Sequence, residues 1–97
     1  PAIVSQFIEL QANYGAKIGL SFDVSYILAL QSFKGTIAIL EKTKQSPDQL
    51  IQSVSTKGGI SETILQNLEK KKLRQSFDYA MNRGCSKIKE LSSLYNK

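Results

Sequence analysis

The 97 residues contain no histidine, no tryptophan, one cysteine and two prolines. With no imidazole and one thiol, a Ser-His-Asp triad, a Cys-His dyad and a zinc site are excluded within the chain, so no metal site is expected. The lone Cys85 has no partner for an internal disulfide, which excludes a disulfide framework and makes a reducing, cytoplasmic compartment the expectation. Long apolar runs are also missing. The longest weakly polar stretch, Val24 to Phe33, is interrupted by Ser25, Tyr26 and Gln31, far short of the roughly 20 apolar residues that cross a bilayer. No charged-then-apolar leader is read at the start. The chain opens at Pro1 rather than Met, which reads as a piece of a longer protein. What is present is an ordinary globular balance, 41% hydrophobic and 22% charged, at a length that suits one domain over residues 1–97.

Thirteen Lys and Arg against eight Asp and Glu leave a formal charge of +5. The basic residues are spread from Lys17 to Lys97, with one dense cluster at Lys70, Lys71, Lys72 and Arg74. A nucleic-acid surface needs a basic face with aromatics or a recognition helix beside it. The cluster reads instead as a solvated turn between helices.

Every apolar segment has helical spacing, and no strand signal or repeat is found. Ile3, Val4, Phe7, Ile8, Gln11 and Tyr14 follow the i, i+3, i+4, i+7 pattern, predicting a helix over about 2–16 that stops near Gly15 and Gly19. Ser21 is an N-cap and Asp23 a favourable first-turn charge for a second helix from Phe22 to about Lys44. Val24, Ile27, Leu28, Leu30, Phe33, Ile37, Ile39 and Leu40 occupy much of its circumference. A helix apolar nearly all round must be buried nearly all round, more than a chain this short supplies, which points to a partner chain. Ser46-Pro47-Asp48-Gln49 predicts a short third helix with a capping box, running to Ser53 or Val54. Ser61 is expected to cap a fourth helix from Glu62 to about Glu69, with Ile64, Leu65 and Leu68 inward. A fifth runs from about Leu73 to Leu94, with Ala80 and Gly84 offering a small-residue face to another helix. Cys85 is expected as a small packed residue, the four tyrosines as packing residues, and Gln31 either across an interface or in solvent.

One segment is suited to chemistry. In Thr56-Lys57-Gly58-Gly59-Ile60-Ser61, adjacent glycines let successive N–H groups converge, and the following helix adds unpaired N–H groups and its positive dipole end. Such a loop can hold a carboxylate or phosphate, with the Thr56 and Ser61 hydroxyls adding direction. It is neither G-x-x-x-x-G-K-[ST] nor G-x-G-x-x-G, and by itself a Gly-Gly before a helix is also a plain connector.

These residues carry a resemblance. Val54-Ser55-Thr56-Lys57-Gly58-Gly59-Ile60-Ser61 resembles the V-x-S-P/K-G-G-T/A-T loop of pyrroline-5-carboxylate reductases. Gly15 to Leu20 resembles their G-V-K-x-G-L, Gln31 and Gly35 their Q-x-x-x-G, and Pro47, Leu50 and Val54 their H-P-x-x-L-x-x-x-V. Leu65, Leu68, Glu69, Leu73, Arg74, Ala80, Glu90 and Leu91 agree as well, and Pro1-Ala2 matches the end of S-G-x-G-P-A. The register holds without gaps over essentially the whole chain.

The resemblance implies an all-α, interlocked helical dimerisation domain of about five helices with one long central helix and no sheet. It implies that this is the C-terminal domain, and that an N-terminal Rossmann domain binding NADPH or NADH lies outside these residues, which bind no cofactor themselves. The implied reaction is reduction of 1-pyrroline-5-carboxylate to L-proline in proline biosynthesis. The implied partners are a second copy, as a homodimer or a ring of dimers, and the small substrate, with no nucleic acid and no membrane. The implied substrate-binding residues are Thr56, Gly58, Gly59, Ile60 and Ser61: loop amides hold the carboxylate and the Ser61 hydroxyl contacts the ring nitrogen. No catalytic residue is assigned within the fragment. Departures from the family pattern are Ser61 for Thr, Ile60 for Ala or Thr, Lys57 for the commoner Pro, and Ala38 where the long helix commonly has Lys. They keep open a diverged reductase-like protein without proline activity. A basic helical module for nucleic acid or anionic lipid is the rival from charge alone. A 3-hydroxyacid dehydrogenase tail lacks its expected Lys or His near an Asn.

Overall fold

Each helix boundary has a local cause. The computed structural model describes residues 1–95, and these form α1 (Ala2–Lys17), α2 (Phe22–Thr43), α3 (Pro47–Val54), α4 (Ile60–Lys70) and α5 (Leu73–Tyr95), with no strand among them. Lys97, the last of the basic residues, lies outside the described residues. At 22 residues, α2 is about 33 Å long. The Ser21 hydroxyl accepts the Val24 N–H at 3.3 Å and so caps it. At the other end, Lys44 turns left-handed (φ 59°) and its N–H donates to the Leu40 carbonyl at 3.1 Å. The capping box before α3 is formed in both directions: Gln49 N–H donates to Ser46 Oγ at 3.1 Å, and Ser46 N–H to Gln49 Oε1 at 2.9 Å. Removing half of that box with Ser46→Ala is expected to lower stability by about 1 kcal/mol in urea denaturation.

The fourth helix starts two residues earlier than its cap signal suggests. Gly59, not Ser61, is the N-cap, with no side-chain cap bond, and Ser61 is the second residue of α4. The reason lies at Glu62, whose carboxylate reaches back over the first turn to the Gly58 N–H. That supplies the polar closure a serine cap would have provided.

The described residues fall into two compact units, one from Pro1 to Ile51 and one from Gln52 onward, with the division inside α3. In the first, α1 packs on α2 along a seam of small residues. Ala12, Ser25 and Ala29 are the buried positions, and Gly15 lies opposite Ser25. Ser25 Oγ donates to the Ala12 carbonyl at 2.6 Å, so the buried hydroxyl is satisfied by the facing helix. In the second unit α4 packs on α5, and neither helix has a buried residue.

Several expected core positions are therefore surface positions in the single chain. Leu65 is half-buried, but Ile64 and Leu68 are exposed. Cys85 is exposed rather than packed, because the packing of α4 on α5 leaves no described residue of α5 buried. A side chain added at Gly84 would meet nothing within 4 Å, so the close helix approach expected at Ala80 and Gly84 is not made within the chain. It is made at Gly15 instead. Tyr14, Tyr79 and Tyr95 are likewise exposed, and Tyr26 stacks on Phe22 with ring centroids 6.0 Å apart.

Candidate functional site

Two features of the molecule call for a partner or a ligand: the surface of α2 and the loop between α3 and α4.

On α2 the buried positions are Ser25 and Ala29, both small. Eight large apolar side chains of the same helix, Phe22, Val24, Tyr26, Ile27, Leu28, Leu30, Ile37 and Ile39, remain between 37% and 56% exposed. Covering the open half of each contributes about 1 kcal/mol, or on the order of 8 kcal/mol for the helix before the entropic cost of association. That is comparable to the whole stability of an ordinary domain. Gln31, in the middle of this surface, is exposed.

The loop is a tight turn with its polar groups already committed in part. Gly59 N–H donates to the Thr56 carbonyl at 2.9 Å, and Gly58 has φ +76°, the left-handed value that a Thr-Lys-Gly-Gly turn requires at its third position. A Cβ at Gly59 would collide with the Thr56 hydroxyl and stand 3.0 Å from the Thr56 carbonyl oxygen. Both glycines are thus needed for this backbone path. Gly58 N–H donates to Glu62 Oε1 at 2.9 Å. The first N–H of α4 with a helical acceptor is that of Thr63, which bonds the Gly59 carbonyl at 3.1 Å. The N–H groups of Ile60 and Ser61 precede it and have no such acceptor, and they stand at the positive end of the helix. The Ile60 side chain is 81% exposed beside them.

The structure thus brings Thr56, Gly58, Gly59, Ile60 and Ser61 together in one turn. It divides their amides into two kinds: those of Gly58 and Gly59 are taken up internally, whereas no acceptor is seen among the described residues for those of Ile60 and Ser61. The Thr56 hydroxyl lies over Gly59. Sequence reasoning missed two residues here. Ser55 Oγ is buried and makes no hydrogen bond, a cost of about 1–3 kcal/mol unless another group supplies a partner. Glu62 is the second, and its signal was legible, since an acidic residue in a first turn often reaches back to a loop amide. The basic cluster forms the turn between α4 and α5, where Arg74 Nε meets Glu69 Oε1 at 2.8 Å. Among the described residues, no group of His, Cys, Asp and Glu is arranged to hold a metal, and no helix is long and apolar enough to cross a membrane.

A helical chain whose 22-residue second helix lies half uncovered belongs to the class of association domains. The chain is, plainly, a member of the pyrroline-5-carboxylate reductase dimerisation family, whose model matches residues 1–91. It is 33% identical over 86 residues to a pyrroline-5-carboxylate reductase of Treponema pallidum, covering 89% of this chain and 33% of that protein. A pyrroline-5-carboxylate reductase of Glycine max is 33% identical over 92 residues, covering 95% and 34%. Among solved structures, a Plasmodium falciparum pyrroline carboxylate reductase with NADP bound superposes with a TM-score of 0.84 at 36% identity, over 90% of this chain and 33% of that one. The chain spans about a third of the length of the relatives it matches. The all-α reading, the five helices and the family resemblance are all borne out.

Proposed function

We propose that these residues are the dimerisation and substrate-carboxylate-holding domain of an NAD(P)H-dependent reductase that converts 1-pyrroline-5-carboxylate to L-proline in the cytoplasm. On this reading the two units act together as one C-terminal domain, and a second copy covers α2 as a homodimer. Family membership supports the reaction class. The single observation that carries the site is the loop itself: it already holds one carboxylate, that of Glu62, on the Gly58 amide, and it presents the Ile60 and Ser61 amides beside it.

The nicotinamide cofactor does not fit onto these residues. A dinucleotide cradle needs a strand, a glycine-rich turn and a helix, and the described residues contain no strand and no G-x-G-x-x-G. Hydride delivery is therefore assigned outside this chain, to a nucleotide-binding domain that supplies NADPH or NADH. The part left to these residues is binding and orientation. The amides of Ile60 and Ser61 hold the substrate carboxylate, and the Ser61 hydroxyl donates toward the ring nitrogen. Together they fix which ring carbon faces the hydride.

Steady-state kinetics of the full-length protein with pyrroline-5-carboxylate and NADPH test this reading. Ser61→Ala is expected to lower kcat/KM by about tenfold to a hundredfold, the worth of one hydrogen bond to a charged or developing-charge group. Wild-type kinetics from that variant would remove the role given to the hydroxyl. A folded, self-associated protein with no turnover at all would mark a diverged relative, in keeping with Ile60 and Ser61 where the family has Ala or Thr and Thr.

A further inference from the structure

The Glu62 carboxylate occupies the same turn to which the substrate carboxylate is assigned in the proposal above. It accepts the Gly58 N–H at 2.9 Å, in the same turn that presents the Ile60 and Ser61 amides. Glu62 is the third residue of α4 and lies in the field of the same helix N-terminus. Any second carboxylate bound at the first turn meets this one at close range. Two carboxylates on neighbouring amides of one turn repel each other, and each draws on the same positive helix end. Among the described residues no lysine or arginine is seen ion-paired to Glu62 to offset the charge, whereas Arg74 pairs with Glu69 and Lys87 with Glu90.

We propose that Glu62 is an internal competitor for the substrate carboxylate: a built-in anion that holds the loop in shape when the site is empty and weakens binding of the anionic substrate when it is full. This rests on the reading of the loop given above. Glu62 is then a residue that sets substrate affinity, not a group that takes part in the reaction. Its carboxylate either swings off the Gly58 amide when substrate arrives or stays and repels it. In both cases the negative charge, rather than the hydrogen bond, opposes the substrate.

Glu62→Gln separates the two. The glutamine oxygen still accepts the Gly58 N–H, so the turn is kept while the charge is removed. In the full-length reductase, E62Q is expected to lower KM for pyrroline-5-carboxylate by about threefold, the scale of an exposed charge–charge interaction, with the change in KM rather than kcat. The ratio of wild-type to E62Q KM is expected to shrink toward one as salt rises from about 50 mM to about 500 mM, because screening weakens repulsion but not a structural role. Glu62→Asp keeps the charge and is expected not to reproduce the drop. A KM for E62Q equal to or above wild type, or a drop that salt does not touch, overturns the proposal. If Ser61→Ala impairs the enzyme while E62Q leaves KM alone, only the role of Glu62 is wrong. If neither substitution moves the kinetics, the carboxylate reading of the loop fails as well.

Discussion

Aspartate at both Ile27 and Leu28 is expected to abolish self-association. These adjacent positions of α2 are 56% and 55% exposed in the single chain, so about half of each side chain is open to another chain, with Leu28 also lining the edge of the seam with α1 beside Gln11, Tyr14 and Gly15. In the family to which the chain belongs this domain mediates dimerisation, and α2 leaves eight large apolar side chains partly uncovered. A carboxylate forced into an apolar interface without a partner costs several kcal/mol, and two weaken the assembly by at least about a thousandfold in Kd. Light scattering or sedimentation of the full-length protein at micromolar concentration is expected to give the mass of one chain for the double variant and of an assembly for wild type. Because an uncovered α2 leaves its apolar side chains in water, the variant is also expected to melt at a lower temperature, with a midpoint that no longer rises with protein concentration. The milder pair Ile27→Ala and Leu28→Ala removes area without adding charge and is expected to give an intermediate dissociation constant. An unchanged mass for the aspartate variant would show that α2 is not the contact surface.

The second large effect is expected at Gly15. A Cβ there would collide with Ser25 Oγ and lie 3.0 Å from Ser25 Cβ, and the serine cannot simply rotate away, since its hydroxyl is held by the Ala12 carbonyl. Gly15→Val must push α1 off α2 or expel the serine from its hydrogen bond. Overpacking and a lost buried hydrogen bond each cost about 1–3 kcal/mol, so a loss of about 3–5 kcal/mol is expected in urea denaturation, a large share of any small domain's stability. The seam can be tested from both sides. Gly15→Ala alone is expected to destabilise by about 2 kcal/mol or more, and pairing it with Ser25→Gly is expected to recover part of that, less the roughly 1 kcal/mol a glycine costs inside a helix. Additive losses in the pair would mean that the two residues do not share the contact.

These two predictions bear on different kinds of packing. Inside the first unit, cohesion comes from close backbone approach between small residues, so volume matters more than hydrophobicity. On the outer surface of α2, cohesion is deferred to association, and apolar area is what counts. The loop at Thr56 to Ser61 follows neither rule. It is shaped by turn chemistry, with a left-handed glycine at 58 and a Cβ-free position at 59.

Much of this was legible without coordinates, where the cause is local. The Ser21 cap, the Ser46–Gln49 box and the glycine turn depend on residues within four positions of one another, and backbone geometry leaves them few alternatives. The excess of apolar residues on α2 was legible for a different reason: a 3.6-residue period shows how much of a helix must be covered, though not what covers it. The start of α4 was misplaced because two local closures compete there, a serine cap at 61 and a glutamate reaching back from 62, and geometry favoured the second. Cys85, Ile64 and the Ala80–Gly84 face were misjudged because periodicity identifies an apolar stripe but not whether its neighbour lies in the same chain. The Gly15–Ser25–Ala12 contact could not be read at all. It joins residues up to 13 positions apart, and it depends on the distance between two helix axes. Local chemistry, then, dictated the helices, their caps and the loop. Only tertiary structure decided which small residues meet, which amides the loop keeps for itself, and how much of α2 is left for another chain to cover.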